Sequence, residues 1–442
     1  MNQDADLRSG NSYAFDLSGG QGLYEFTWPD LNITARVEGA SRGQRGGVEA
    51  DIYVESQRAS RPGHLRYARL NLSSQSGKDT FVRGLKKREE EIDWDEIVEQ
   101  ICVSITRDSQ IGNPVVRLTG TTEVSELAQW FVEPIIEAEH VSIIYGPGGS
   151  GKSFIAQLVA VLVDAGLSYA GFTVAAPSPV LYLDWEASEQ DLEVRTSMIR
   201  RGLGFKSEAN ILYKKMSRSL TDDIEEVKKL VRQHSASLLI IDSVGGASQG
   251  GQNDDKVILP MFNYLREIKG IPKLLIDHTN KQDGGLYGSI YKQNEARHLW
   301  EFRSDIRAGE QQLTFAMLHR KHNNTGKLPD MAFVIDFSTP GQVAFAKTPI
   351  AGTALESEQS IPQRVMNTYS RNGSATYSVT EMAEELTTET KKVSDAVART
   401  VLERLVHDGS LVKNHVNGNQ QYGIPAGIPA EEEKGKKEEW IL

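Results

Sequence analysis

The chain is short of cysteine, of long apolar runs and of surplus positive charge, and each shortage excludes something. A single cysteine, Cys102, in 442 residues excludes an internal disulfide framework and fits a reducing compartment. No apolar run approaches the ~18 residues that a membrane span needs. The opening stretch MNQDADLRSGNSYAFD lacks the basic-then-apolar pattern of an export signal. The expectation is a cytoplasmic protein with no membrane partner. The net charge of −11 argues against a surface coated in basic patches, while leaving room for a local positive surface on a ring or a small module. What remains is ordinary for a soluble globular protein: 25% charged and 39% hydrophobic residues, in a chain long enough for about three domains.

Against that background one stretch stands out. Val141 to Tyr145 reads as a buried strand, Gly146-Pro147-Gly148-Gly149-Ser150-Gly151-Lys152-Ser153 fits the phosphate-loop pattern G-x-x-x-x-G-K-S, and Phe154 to Ala165 reads as an apolar helix. Glycines let the backbone wrap closely around phosphates, its amides point into the concavity, and the helix dipole adds positive potential there. Lys152 is expected to neutralise the β- and γ-phosphates, and the Ser153 hydroxyl to ligate Mg²⁺. ATP and Mg²⁺ are the expected cofactors.

The surrounding chain has a domain texture. Residues 1–20 are polar and rich in Gly and Ser, as in a flexible arm. Short strand-like runs (23–28, 31–37, 48–55, 65–72) and two helices (81–91, 94–107) predict an α+β accessory domain over 21–122. Its arginines, Arg42, Arg45, Arg58, Arg61, Arg66 and Arg69, sit among acidic neighbours and read more as a solvated face than as a nucleic-acid surface. From 123 to 348 strand-like runs alternate with helices, predicting an α/β domain with a mostly parallel sheet and helices on both faces. Its strand candidates are 141–145, 180–184, 238–242, 273–277, 313–318 and 332–337. Residues 349–360 read as a linker, 361–425 as a small final domain, and 426–442 as a charged, disordered tail. No internal repeat is present.

Three further motifs close apolar strands, where an open parallel sheet places its ligands. They are Val180-Leu181-Tyr182-Leu183-Asp184-Trp185-Glu186, Leu238 to Asp242-Ser243, and Leu274-Leu275-Ile276-Asp277-His278-Thr279-Asn280-Lys281. Asp242, about 90 residues after the phosphate loop, fits the carboxylate that holds Mg²⁺.

This order of motifs resembles the RecA-type ATPase superfamily and, within it, the RepA-like hexameric helicase family, over about residues 125–340. The resemblance implies a glutamate that polarises the attacking water, a role matching Glu186, with Asp184 as the competing candidate. It implies that His278 is a polar sensor coupling the γ-phosphate to a DNA-contacting loop. It further implies a basic finger reaching a neighbouring subunit, for which Arg320 and Lys321 in Leu318-His319-Arg320-Lys321-His322-Asn323-Asn324 are candidates, although a clean K-N-R pattern is absent. A homo-hexameric ring with single-stranded DNA in its channel follows from the same resemblance. The segment Lys281 to Lys292 offers Lys281, Tyr287, Tyr291 and Lys292 as cations and stacking rings for such a strand. The companion loop Gly245 to Asp255 is acidic at its end and a poor contact. No His/Cys set shows zinc-ligand spacing, and His319 and His322 form a lone H-x-x-H read as structural.

The final domain reads as helix, short helix, longer helix and hairpin. Ser378-Val379-Thr380-Glu381 is a capping box, and Val393, Val397, Val401 and Leu405 recur every four residues as an apolar stripe. A hairpin is expected across Asn417-Gly418-Asn419. The order resembles a winged helix-turn-helix, whose third helix would bring Lys391, Lys392, Ser394 and Arg399 to duplex DNA; a protein-contact role is the alternative. The function expected is a Mg-ATP-hydrolysing ATPase acting on DNA, as a ring-shaped helicase or translocase. The rivals are a recombinase-like or loader ATPase, and a nucleotide-gated switch whose final domain binds DNA or a protein.

Overall fold

The computed structural model describes residues 13–425 apart from 21, 43–46, 60–61, 112–116, 118–129, 206–207, 281–284, 306–308, 324–325, 352, 374, 389–390 and 417–418. The start of the expected arm and the expected tail lie outside the described residues. The chain divides into two compact units, Met1–Thr122 and Glu123–Leu442.

In the first unit, β1 (Asp16–Gly20), β2 (Leu23–Trp28), β3 (Ile33–Arg42), β4 (Val48–Ser56) and β5 (Gly63–Asn71) form an antiparallel meander in chain order. Two helices follow, α1 (Gln75–Lys86) and α2 (Trp94–Ile111). Period-two alternation buries Val48, Ala50, Ile52 and Val54 of β4 against Trp94, Ile97, Ile101 and Ile105 of α2 in one core. Residues 16–20, expected in the arm, are instead an edge strand, with Asp16 opposite Thr27. Such pairing uses backbone groups alone, so polar composition conceals it. Helix α1 starts at 75 rather than 81 because Ser74 caps it, accepting the Gly77 amide at 3.3 Å. Arg58 pairs with Glu91 at 2.9 Å, Arg69 with Asp51 at 3.0 Å, and Arg66 lies over the Phe81 ring. Arg45, Arg61 and the Arg42 side chain are outside the described residues.

The second unit begins with β6 (Trp130–Glu133) and β7 (Ile136–Glu137), then β8 (Val141–Gly146), α3 (Lys152–Ala165), β9 (Thr173–Val174), β10 (Val180–Asp184), α4 (Glu189–Gly202) and β11 (Ile211–Lys215). It continues with α5 (Leu220–Gln233), β12 (Leu238–Asp242), α6 (Val244–Ala247), α7 (Asp255–Glu267), β13 (Lys273–His278) and α8 (Tyr291–Glu295). Four strands follow: β14 (His298–Asp305), β15 (Gln312–His322), β16 (Met331–Asp336) and β17 (Ala344–Thr348). Nine strands make one sheet in the order β11-β10-β12-β13-β8-β14-β15-β16-β17. It is parallel from β11 to β14 and antiparallel from there to β17. Strand β13 separates the phosphate-loop strand β8 from β12, which ends in Asp242.

Both faces of this sheet are covered, which is why its central strands read as unbroken apolar runs. Ile144 packs on one face with α3 and α4, while Ile143 and Tyr145 pack on the other with α5 and α7. Helix α3 is buried all round from Ile155 to Val163 and stops at Gly166, which takes φ 63°. Strand β14 was not expected, because HLWEFRSD carries charge at alternate positions; those charges are satisfied inside the sheet, Glu301 by Arg303 and Arg320. The short edge strands β11 and β17 also escape an apolar-run criterion.

Residues 349–360, expected as a linker, are packed. Ile350 and Leu355 are buried with Ala316, Leu318 and Ala332, and 354–358 form a 3₁₀ turn. Small polar residues dominate that segment, and two apolar side chains suffice to fasten it.

The unit closes with α9 (Ile361–Asn372), α10 (Val379–Leu386), α11 (Asp395–His407), β18 (Val412–Val416) and β19 (Asn419–Gly423). Ser378 caps α10 and Glu381 returns the bond, its carboxylate accepting the Ser378 amide at 2.7 Å. Val365, Tyr369, Met382, Leu386, Leu402 and Tyr422 share the core. Of the expected stripe, Leu405 is buried and Val393 and Val401 pack against the core, while Val397 is 41% exposed; Ala398 and Leu402 complete the buried face of α11.

Candidate nucleotide site

Residues 148–154 turn around a cleft of about 480 Å³ that also borders Glu186, Arg195, Asp242 and His278. Gly149 and Gly151 hold φ of 75° and 89°, conformations that a side chain resists. Gly151 then starts α3, aiming the first-turn amides at the cleft. Lys152 is buried at the floor, donating to the carbonyls of Gly146 at 2.9 Å and Pro147 at 2.7 Å. Burial lowers its pKa, against the pull of Asp242 and Glu186.

The two oxygen donors expected for Mg²⁺ come together. Ser153 and Asp242 line the same cleft, where the Ser153 hydroxyl favours the ionised Asp242 carboxylate, and that carboxylate accepts the buried Tyr182 hydroxyl at 2.8 Å. Burial pushes the Asp242 carboxyl up to about 6. An alkoxyl and a carboxylate oxygen at the rim of an amide-lined cradle suit a hard cation that keeps most of its waters, so the residues fit Mg²⁺ with a triphosphate.

The two carboxylates at the end of β10 have separate surroundings. Asp184 is buried and accepts the amides of Glu186 at 2.9 Å and Ala187 at 3.1 Å, with the Tyr213 hydroxyl on its other oxygen. It shapes the turn that delivers Glu186 to the cleft. Glu186 is half exposed, accepts the Ser243 hydroxyl, and lies 3.4 Å from His278 Nε2. The His278 contact, helped by Ser243, holds its carboxyl down at about 2. A carboxylate ionised so firmly can orient and polarise a water; it is a weak acceptor of a full proton.

His278 ends β13, its amide bonded to Asp277 Oδ1 at 2.8 Å. Beneath it, Lys292 requires a correction: expected on a DNA-contacting loop, it is fully buried. Helix α8 carries it inward, where Nζ reaches Asp277 Oδ2 at 2.8 Å and the Tyr287 carbonyl at 2.8 Å. Tyr291 packs against the core beside α7, and Tyr287 meets Asn253 through its hydroxyl at 3.1 Å. Lys281 lies outside the described residues. The two finger candidates, expected to reach a neighbouring subunit, both have partners within this chain. Lys321 Nζ donates to the Gln293, Asn294 and Ala296 carbonyls, closing the end of α8. Arg320 is held by the buried Glu301 at 2.6 Å.

In the final domain, Lys392, Ser394 and Arg399 are exposed; Ser394 caps α11. Lys391 reaches Glu358 and the Ser357 carbonyl, both at 3.1 Å.

Sequence reasoning missed one wall of the cleft. Arg195, on α4, lies 5.4 Å above the Phe154 ring, and Gln312, Leu313 and Phe337 arrive from β15 and the end of β16. Phe154 and Phe337 meet edge to face at 5.3 Å. Only the pairing of distant strands brings these residues beside the phosphate loop, so no local signal marks them.

A phosphate loop, an acidic strand end two strands away and a polar residue on the strand between them have the arrangement of a P-loop ATPase core. A family model described as an AAA domain matches residues 118–284. Among solved structures, a KaiC-like protein of the hyperthermophilic archaeon Pyrococcus horikoshii OT3 is 18% identical, covering 53% of this chain and all of that one, with a TM-score of 0.37. No curated protein matches. Among the described residues no helix is long and apolar enough to cross a membrane.

Proposed function

We propose that the protein is a RecA/RepA-like ATPase that hydrolyses Mg-ATP to act on DNA, as a homo-oligomeric, ring-shaped helicase or translocase. The observation that carries this reading is the contact between Glu186 and His278, 3.4 Å apart on neighbouring strand ends. Lys152 and the loop amides would hold the phosphates, Ser153 and Asp242 the Mg²⁺, and Phe154, Leu313 and Phe337 the base. The bound Mg²⁺ would supply charge neutralisation on the phosphate oxygens. Glu186 would then orient a water, and His278 would feel its displacement through that contact. The Tyr287 amide bonds the His278 carbonyl at 3.0 Å, so a shift of the sensor would reach Tyr287.

Three helices and a hairpin, with Tyr377 bridging to Tyr422, support reading the final domain as a winged helix. Lys392, Ser394 and Arg399 would face DNA. The burial of Lys292 favours one rival specifically. With that cation removed from the loop, a nucleotide-gated switch that contacts DNA through its final domain is the second reading.

ATP hydrolysis measured with and without single-stranded DNA, with Lys152→Ala as the blank, separates the two. Strong stimulation supports the motor. Hydrolysis indifferent to DNA overturns the motor and leaves the switch, and hydrolysis unchanged in Lys152→Ala overturns both.

A further inference from the structure

The opposite end of the sheet from the nucleotide cleft holds a buried cluster that the ATPase reading does not use. His298 opens β14 and His322 closes β15, and the two are direct partners across the antiparallel ladder. Cross-strand partners project to the same face, and their imidazoles stack at 4.2 Å between centroids. Glu137, the last residue of β7, enters from the separate sheet formed by β7, β6 and β9. Its Oε2 lies 3.5 Å from His298 Nε2 and 3.9 Å from His322 Nε2. Trp130 covers the group, 4.9 Å from the His298 ring.

Two features do not suit an ordinary packed core. His298 is wholly buried, yet neither of its ring nitrogens has a hydrogen-bond partner among the described residues. Such a nitrogen costs roughly 1–3 kcal/mol unless something else occupies its lone pair. Close by, His319 spends Nδ1 on the Leu328 amide at 2.7 Å, while its buried Nε2 finds no partner among the described residues. The spacing fits a cation. In a tetrahedral site with bonds of about 2.0–2.1 Å, neighbouring ligand atoms stand roughly 3.4 Å apart, close to the two separations from Glu137.

We propose that Glu137, His298 and His322 form a structural site for a divalent transition metal of the zinc class. Two imidazoles and one carboxylate are a borderline donor set, suited to Zn²⁺ and Co²⁺ and poorly to Mg²⁺. His319, 5.6 Å from His298 ring to ring, keeps its Nδ1 lone pair on the Leu328 amide, so its Nε2 carries the proton and it stays outside the ligand set. Bound there, the ion joins the three-stranded sheet to the end of the main sheet where β14 and β15 pair, fixing the base of the phosphate-loop strand β8. The three ligands are scattered over 186 positions of chain, so no local spacing announces them.

The test uses the full chain stripped with chelator, in excess Mg²⁺ to occupy Ser153 and Asp242. One equivalent of Co²⁺ should give tetrahedral visible absorption, displaced by Zn²⁺, and Zn²⁺ should raise the melting temperature. His322→Asn and Glu137→Gln should each weaken Zn²⁺ by roughly 100-fold or more, because even outer partners of metal ligands cost 10–100-fold. No stoichiometric binding by the wild-type chain, or unchanged affinity in both variants, overturns the site and leaves an aromatic stack. Should the variants fail to fold, X-ray absorption of the zinc-loaded wild-type chain decides. Two imidazoles with oxygen support the assignment; sulfur, or oxygen alone, refutes it.

Discussion

Lys292 Nζ lies 2.8 Å from Asp277 Oδ2, and neither side chain is exposed. Asp277 in turn holds the His278 amide, so a buried ion pair from α8 fixes the residue that touches Glu186. Burial pushes the Asp277 carboxyl up and the Lys292 ammonium down. The pair survives by mutual attraction and by the further acceptors around Lys292. Lys292→Met should therefore cost about 3–5 kcal/mol, because it leaves a buried carboxylate uncompensated. Urea denaturation measures this, and adding Asp277→Asn to the same chain should recover part of the loss.

Glu186→Gln should keep nucleotide binding and lower single-turnover hydrolysis by on the order of 10²–10⁴. Asp184→Asn should behave differently. It disturbs the two amide bonds that shape the turn, so weaker nucleotide binding and a lower melting temperature should accompany any loss of rate. Hydrolysis equally low in both variants with binding intact in both would remove the distinction between them.

Asp242 predicts an acid limb. Its carboxyl titrates near 6 in the folded chain, so protons compete with Mg²⁺ as pH falls through that value, and hydrolysis should decline with it. Glu186, held at about 2, stays ionised throughout and contributes nothing to this limb. Stability without Mg²⁺ runs the other way. A carboxyl raised above its unfolded value favours the fold below about 4 and loses that contribution as pH rises through about 6, on the order of 3 kcal/mol. Asp242→Asn should accordingly melt higher than wild type at pH 7.5 without Mg²⁺, and should not hydrolyse ATP.

If the final domain reads duplex DNA, Lys392→Ala and Arg399→Ala should each weaken binding and reduce the salt slope by about one. Fluorescence anisotropy across a salt series reads both. A slope unchanged in the double variant would assign that face to a protein partner.

A fixed pattern made the core of the nucleotide site readable in sequence. The phosphate loop is local chemistry, needing glycines, Lys152 and Ser153 in consecutive order between a strand and a helix. Asp242, Glu186 and His278 were readable too, because an apolar run ending in a polar residue marks the rim of a parallel sheet. The edge strand β1 and the interior strand β14 were not: β1 pairs through its backbone, and β14 carries charges that find partners only once β15 lies beside it.

The chain's residue order by itself determined a phosphate-binding loop and the α/β alternation that supports it, since both follow from spacing of a few residues. Only the tertiary structure decided that Lys292 turns inward, that Asp184 shapes a turn while Glu186 faces the cleft, and that Glu137, His298 and His322 converge. Each of those outcomes depends on which distant strands become neighbours, and burial then sets whether a charge is free, paired or poised to hold a metal.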